Sequence, residues 1–315
     1  MTEVLYQNTS DGTIHDITSI VPTAKWKTVR RGTAGSFTFT ALPSAVKWEH
    51  GGVIRVKSGG RGIFYGYVFR ISTAADGMTD ITAYDQLRYL KNKNTYVFTN
   101  KKASAIIREI CEDFKLKTGS IPDTGYVIPS MTEDGSELFD IMLKALDYTL
   151  VNTGRMFYLW DDFGALSVSE VSDGKLDIML GDGSLATDYS YESSIDGETC
   201  NQVKLVRDNK DTGKRDLYLF KDSANIARWG LLQYFEKVDK DMNAAQITQH
   251  GEQLLELHNR PERTFSVDGI SDLRVRAGKM IFVQMKSLGV NQYFLIEEAE
   301  HDLTGGTMKI KLKAV

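Results

Sequence analysis

Cysteine is nearly absent from this chain of 315 residues: Cys111 and Cys200 lie far apart and in no metal or redox spacing. That leaves no disulfide framework and predicts plain buried thiols or a reducing compartment. No apolar run approaches transmembrane length, so no membrane insertion is expected. Neither sign of charge dominates, with 42 acidic and 38 basic residues and a net charge of −4. A chain so balanced has no electrostatic footprint for general nucleic-acid binding and predicts no nucleic-acid recognition. The opening Met1-Thr2-Glu3-Val4 has neither a basic nor an apolar leader region, so no signal peptide is expected. Synthesis in a bacterial cytoplasm follows, and any later export needs a lytic or assembly route.

What is present is ordinary globular material, 42% apolar and 25% charged, in a chain long enough for two or three domains. The most informative stretch runs from Ile63 to Leu90. Ile63, Tyr65, Tyr67, Phe69 and Ile71 alternate with Gly66, Arg70 and Ser72, which predicts a strand with one apolar and one wet face. Asp76-Gly77 marks a hairpin, and Thr79 to Ala83 returns into the short helix-like Tyr84 to Leu90.

Around it, residues 1–94 predict short strands with Gly-rich turns: Asp11-Gly12 as a hairpin, Ser36 to Ala41 and Val53 to Lys57 as strands. The period then lengthens. Ile106, Ile107, Ile110, Cys111 and Phe114 share one helical face from Ala103 to Phe114, and Leu138, Phe139, Met142, Leu143 and Leu146 share another from Ser136 to Leu146. Asp134 and Glu137 predict a capping box for that second helix. Arg155 to Trp160 and Ala165 to Val171 predict a hairpin, completing an α+β module over 95–185 whose Ser172 to Gly197 stretch reads as a boundary. Segment 186–315 returns to strands: Asn201 to Arg207, Leu217 to Phe220, Met280 to Lys286, Tyr293 to His301 and Thr307 to Lys313. It carries one long helix, Ala244 to Asn259, capped by Asn243 and ended by Pro261. Lys309, Lys311 and Lys313 predict a protected edge strand. The fold class is mainly β with an α+β insertion.

Chemistry is harder to find. Asp-Thr-Gly occurs at Asp123 and Asp211, but neither follows the apolar strand that buries an aspartic-protease carboxylate. His250 and His258 stand eight residues apart on one helix, not the four that would chelate an ion. Acidic pairs Glu133-Asp134, Asp161-Asp162 and Glu297-Glu298 suit solvated turns and strand edges as well as glycoside hydrolysis. There is no phosphate loop and no Gly-x-Ser-x-Gly elbow. The sequence predicts no catalytic residue, no metal site and no cofactor. Period-2 aromatics such as Tyr65, Tyr67, Phe157 and Trp160 suit barrel core better than a sugar platform, although a carbohydrate- or cell-wall-binding adhesion module is the rival class.

The run Gly62-Ile63-Phe64-Tyr65-Gly66-Tyr67-Val68, continued by Ile81-Thr82-Ala83-Tyr84-Asp85-Gln86-Leu87-Arg88-Tyr89-Leu90, resembles the XkdQ/YqbQ-type baseplate hub proteins of contractile phages, defective prophages and phage-tail-like bacteriocins. That resemblance implies two tube-like β-barrels, 1–94 and 186–315, flanking the middle module. It implies a homotrimer forming a pseudo-hexameric ring between a hexameric tail tube and a trimeric spike, beside other baseplate and tape-measure components, in a virion tail or tailocin. Two charged segments, expected as long flexible turns, are the candidate subunit or ring contacts. Thr23 to Ala34 offers Lys25, Lys27, Arg30 and Arg31, as an acidic partner's docking site or a plain surface loop; Asp208 to Asp216 offers Asp208, Lys210, Asp211, Lys214 and Arg215.

Overall fold

Alternation of apolar and polar residues makes the first segment almost wholly strand. The computed structural model describes residues 2–181, 186–209 and 213–314. Its first seven strands are β1 (Thr2–Gln7), β2 (Ile14–Asp16), β3 (Thr23–Val29), β4 (Ser36–Ala41), β5 (Val53–Ser58), β6 (Arg61–Thr73) and β7 (Thr79–Tyr84). Asp11-Gly12 and Asp76-Gly77 do turn hairpins, with Gly12 at φ 74° and Gly77 at φ 84°. The face assignment of β6 is the reverse of the expectation. Phe64, Gly66 and Val68 are buried, while Tyr65, Tyr67 and Phe69 are half-buried. The cause is a bulge between Val68 and Arg70, which shifts the pairing with β7 and switches the inward side, so that Ile71 faces Ile81. The aromatic stripe is therefore not barrel core. It packs on Phe163 of the middle module through Tyr65 at 5.7 Å, and on Tyr89 just before that module through Tyr67 at 5.6 Å, between ring centres.

Asp85 caps the 3-10 turn Gln86–Lys91 by accepting from the Leu87 amide at 3.0 Å, and the chain enters the middle module. That module comprises β8 (Lys93–Lys102), α1 (Ala103–Asp113), β9 (Val127–Glu137), α2 (Leu138–Thr153), β10 (Phe157–Asp161) and β11 (Leu166–Glu170). Both amphipathic stripes are buried as their spacing demands, with Ile106, Ile107, Ile110, Leu138, Phe139 and Met142 in one core. The capping box is absent. β9 runs up to Glu137, so Asp134 sits at a strand turn and accepts from the Thr95 hydroxyl at 2.7 Å. The second helix runs on to Thr153 and stops at Gly154, which takes the left-handed conformation.

Still within 95–185, the chain then forms β12 (Lys175–Gly181); the third segment contains β13 (Ala186–Ser194), β14 (Gln202–Asp208), β15 (Arg215–Lys221), α3 (Ser223–Trp229), β16 (Gln233–Lys237), α4 (Ala244–His258), β17 (Glu262–Ile270), β18 (Met280–Met285), β19 (Val290–Asp302) and β20 (Thr307–Lys313). The Ser172 to Gly197 stretch is thus not a plain linker, because β12 and β13 fall within it. β12 pairs in parallel with β18. The long helix starts at Asn243 with a capping box completed by Gln246. Strands β14 to β16 form their own sheet, in the order β15-β14-β16, with α4 on one face. The remaining strands of the first and third segments join, together with β12, into one 13-stranded sheet, β13-β17-β20-β19-β3-β4-β7-β6-β5-β1-β2, with β18 on β19 and β12 on β18. Its pairing is an open path; no closed barrel is present among the described residues. β20 is not an edge: it lies between β17 and β19, and its outward lysines meet acids on its neighbours, Lys309 with Asp268 and Lys311 with Glu298, each at 3.6 Å.

All three segments meet at Arg276. Its guanidinium carbon lies 4.4 Å from the ring centre of Trp160 on β10 and 5.9 Å from that of Trp26 on β3. Its Nη2 donates to the Asp161 carbonyl at 3.1 Å. Two buried carboxylates share this neighbourhood. Asp85 accepts from the Gly35 amide at 2.9 Å, and Asp161 accepts from the Gly164 amide at 2.7 Å while its Oδ2 has no hydrogen-bond partner. Burial pushes the Asp161 carboxyl up to about 6, against the pull of the Gly164 amide and of Arg276. Burial and the Asp161 charge raise Asp85 as well.

Two predictions follow from this packing. A Cβ on Gly66 would lie 2.4 Å from the Tyr84 carbonyl oxygen and 2.5 Å from the Phe64 ring. Gly66→Ala is therefore expected to cost about 1–3 kcal/mol in urea unfolding, and an unchanged midpoint would contradict the buried face assigned to β6. For Asp161, the folded carboxyl ionises at about 6 and the unfolded one at the ordinary 3.8. Its contribution is fully present below the lower value and is lost as pH rises to the higher one. The stability of Asp161→Asn relative to the natural chain should rise by about 1.4 kcal/mol between pH 5 and pH 7.5. Urea melts at the two pH values check this; a difference that does not vary with pH contradicts it.

Candidate assembly surface

The first group of predicted contact residues divides between a strand, which carries Lys25 and Lys27, and the bend after it, which carries Arg30 and Arg31. Thr23–Val29 is β3, not a flexible turn: Ala24, Trp26 and Thr28 point inward, and Lys25 and Lys27 point outward. β3 pairs antiparallel with β19, Glu300 facing Lys27 and Asp302 facing Lys25, and this ladder joins the first segment to the third. The outward charges alternate in sign across the strands. Lys27 meets Glu298 at 2.9 Å and Lys25 meets Glu300 at 3.6 Å. Arg30 clasps Glu297 with two hydrogen bonds, 2.9 and 2.8 Å, and its amide donates to the Glu297 carbonyl at 3.0 Å. Arg31 reaches Asp147 on α2 of the middle module, at 2.7 and 2.5 Å.

Behind this charged row the seam is buried and specific. Trp26 stacks on the buried His301 ring at 5.2 Å, and His301 is held by the Ser271 hydroxyl and the Val275 carbonyl, each at 2.8 Å. Burial lowers the pKa of this imidazole, which favours its neutral form. The Ala277 amide donates to Thr28 at 3.0 Å from the loop that carries Arg276. Exposed ion pairs contribute roughly 0–1 kcal/mol each, so the ladder and the buried rings hold the seam. The charges fix its register, because a one-residue slip turns every lysine of β3 inward.

The second group lies at the tip of the β14–β15 hairpin. Asp208 bridges Arg215 at 3.1 Å and Lys237 at 2.6 Å, and the Asn209 amide donates to the Lys214 carbonyl at 2.8 Å. Lys210 and Asp211 lie outside the described residues. The two groups are therefore separate places, one a seam within the chain and the other a hairpin tip. Sequence reasoning missed the acidic half of the seam, Glu297, Glu298 and Glu300, and missed β3 itself. The signal for β3 was the period-2 run Ala24-Trp26-Thr28, hidden by the density of charge between its members.

The residues considered for catalysis have structural partners. Asp123 is exposed and pairs with Lys102 at 2.7 Å; Asp211 lies outside the described residues. His250 is buried 3.1 Å from Glu236, and His258 stacks on Tyr234. Cys111 and Cys200 are buried free thiols. Among the described residues, no cluster of three or more His, Cys, Asp or Glu could hold a metal ion, and no helix is long and apolar enough to cross a membrane.

Comparison with known proteins agrees with this architecture. The YQBQ-like family model matches residues 24–314. The chain is 33% identical over 296 residues to the protein YqbQ of Bacillus subtilis (strain 168), covering 92% of this chain and 89% of that one. It is also 33% identical over 262 residues to the phage-like element PBSX protein XkdQ of the same strain, covering 82% and 79%. Its fold is shared, at 16% identity and a TM-score of 0.71 over 98% of each chain, with the 43 kDa tail protein of prophage MuSo2 from Shewanella oneidensis. The chain belongs to the YQBQ-like family.

Proposed function

We propose that this protein is a structural baseplate hub of a contractile tail or tailocin. Three copies form a pseudo-hexameric ring that joins the hexameric tail tube to the trimeric spike, in contact with other baseplate and tape-measure components. The observation that carries this reading is the β3–β19 ladder, which fixes two β-rich units of one chain at one orientation within a single sheet. A pseudo-sixfold ring from three chains needs that property, two β-rich units per chain that do not move relative to each other. The fold shared with a prophage tail protein and the kinship with a phage-like element protein support the same reading.

In this proposal the units are 1–94 and 186–315, with 95–185 as the module bracing them from outside, and neighbouring copies complete the open-edged sheets into a tube. Asp208, Lys214 and Arg215 at the hairpin tip belong to a subunit or ring contact, and Lys210 and Asp211, outside the described residues, complete that candidate group. Lys25, Lys27, Arg30 and Arg31 serve the ring by holding the seam. The role is mechanical, with no turnover and no cofactor. The rival adhesin needs an aromatic platform, and the stripe at Tyr65 and Tyr67 is packed on Phe163 and Tyr89 instead.

Size exclusion with light scattering, alone and with the cognate spike protein, tests the proposal. A mass three times that of the 35.3 kDa chain, or a trimer formed on the spike, is expected. A monomer that ignores spike and tube proteins yet is retained by peptidoglycan overturns it.

A further inference from the structure

The small sheet β15-β14-β16 has one face on α4 and the other in solvent, and the solvent face mixes charged with large apolar side chains. Leu217 and Leu219 on β15 and Phe235 on β16 are 57%, 47% and 55% exposed. Register sets Leu219 and Phe235 on either side of Lys204, and Leu217 beside Val206, so they form one patch and not scattered side chains. The same face carries Arg215, Lys221 and Lys237 against a single acid, Asp208. Asp208 is already shared by Arg215 and Lys237, whereas Lys204 and Lys221 have no ion-pair partner among the described residues. β15 also ends its sheet, so one row of its backbone donors and acceptors is unpaired there.

An edge of opposite sign lies elsewhere in the chain. β13 ends the large sheet and contains neither lysine nor proline. Asp188 and Glu192 lie on one side of it, both exposed and both without an ion-pair partner among the described residues, and the neighbouring Tyr189 is 41% exposed. Among the described residues neither edge is covered, and an acidic edge and a basic, apolar edge in one molecule match each other and do not match themselves.

We propose that, in the ring, the β15 edge of one copy docks on the β13 edge of the next, with Leu217 and Leu219 covered in the contact and Lys204 and Lys221 set against Asp188 and Glu192. The inference rests on the ring reading above. Like charges oppose the cationic patch stacking on its own copy, so the contact is head to tail, the type that a rotation closes into a ring. Main-chain pairing along the two edges supplies hydrogen bonds, the leucines supply burial, and the charges set direction.

Light scattering on charge-swapped chains tests it. Lys204→Glu with Lys221→Glu is expected to give monomers at a concentration, and with spike if needed, where the natural chain is trimeric. Adding Asp188→Lys and Glu192→Lys to that same chain should restore the trimer. Leu217→Ser with Leu219→Ser should dissociate it without any change of charge. A Lys204→Glu, Lys221→Glu chain that trimerises like the natural one overturns the contact and leaves the ring reading intact, and failure of the four-residue swap to restore the trimer overturns the assignment to β13. A natural chain that is monomeric at every concentration, with and without spike, overturns both.

Discussion

The pairing of β3 with β19 is the constraint on which the rest of the molecule depends. It brings residues near position 27 against residues near position 300, so the two β-rich segments become one sheet and not two beads on a string. Backbone hydrogen bonds and the Trp26–His301 stack supply the cohesion, and the alternating Lys and Glu rows supply the register. Arg30 on Glu297 and Arg31 on Asp147 extend the same clasp to the edge of the seam and to the middle module. In the proposed hub role, force has to pass from tube to spike, and a continuous sheet does that with less give than a linker between domains.

The Arg276 cluster is the second fastening, and it works differently. A guanidinium between two tryptophans, with two buried carboxylates nearby, is expensive to assemble and strongly destabilised when one partner is lost. Trp26 comes from the first segment, Trp160 and Asp161 from the second and Arg276 from the third, so the cluster forms only when all three are in place. The Asp161 carboxyl, raised to about 6, is the physical trace of that cost.

Much of the local structure was legible in the sequence, and most of the long-range structure was not. The stripes of Ile106, Ile107 and Ile110 and of Leu138, Phe139 and Met142 named their helices because 3.6-residue periodicity is a local property. The hairpins at Gly12 and Gly77 were equally local. β6 was found as a strand but turned inside out, since a bulge near Phe69 changes which side faces inward and leaves no composition signal. β20 was found but placed at an edge, because a lysine row looks the same whether it repels a stray strand or pairs with Asp268 and Glu298. The seam at Lys25 to Arg30 read as a loop because its acidic partners lie more than 250 residues away. The resemblance around Tyr84 to Leu90 named the family, which charge and periodicity alone did not.

The most direct test of the central claim is electron cryomicroscopy of purified particles that contain this protein. The account predicts three copies at the junction of tube and spike, each contributing two β-rich units joined by the β3–β19 ladder to a ring of six. Six copies at that level, a peripheral position on the baseplate, or density in which the first and third segments are separated would contradict it.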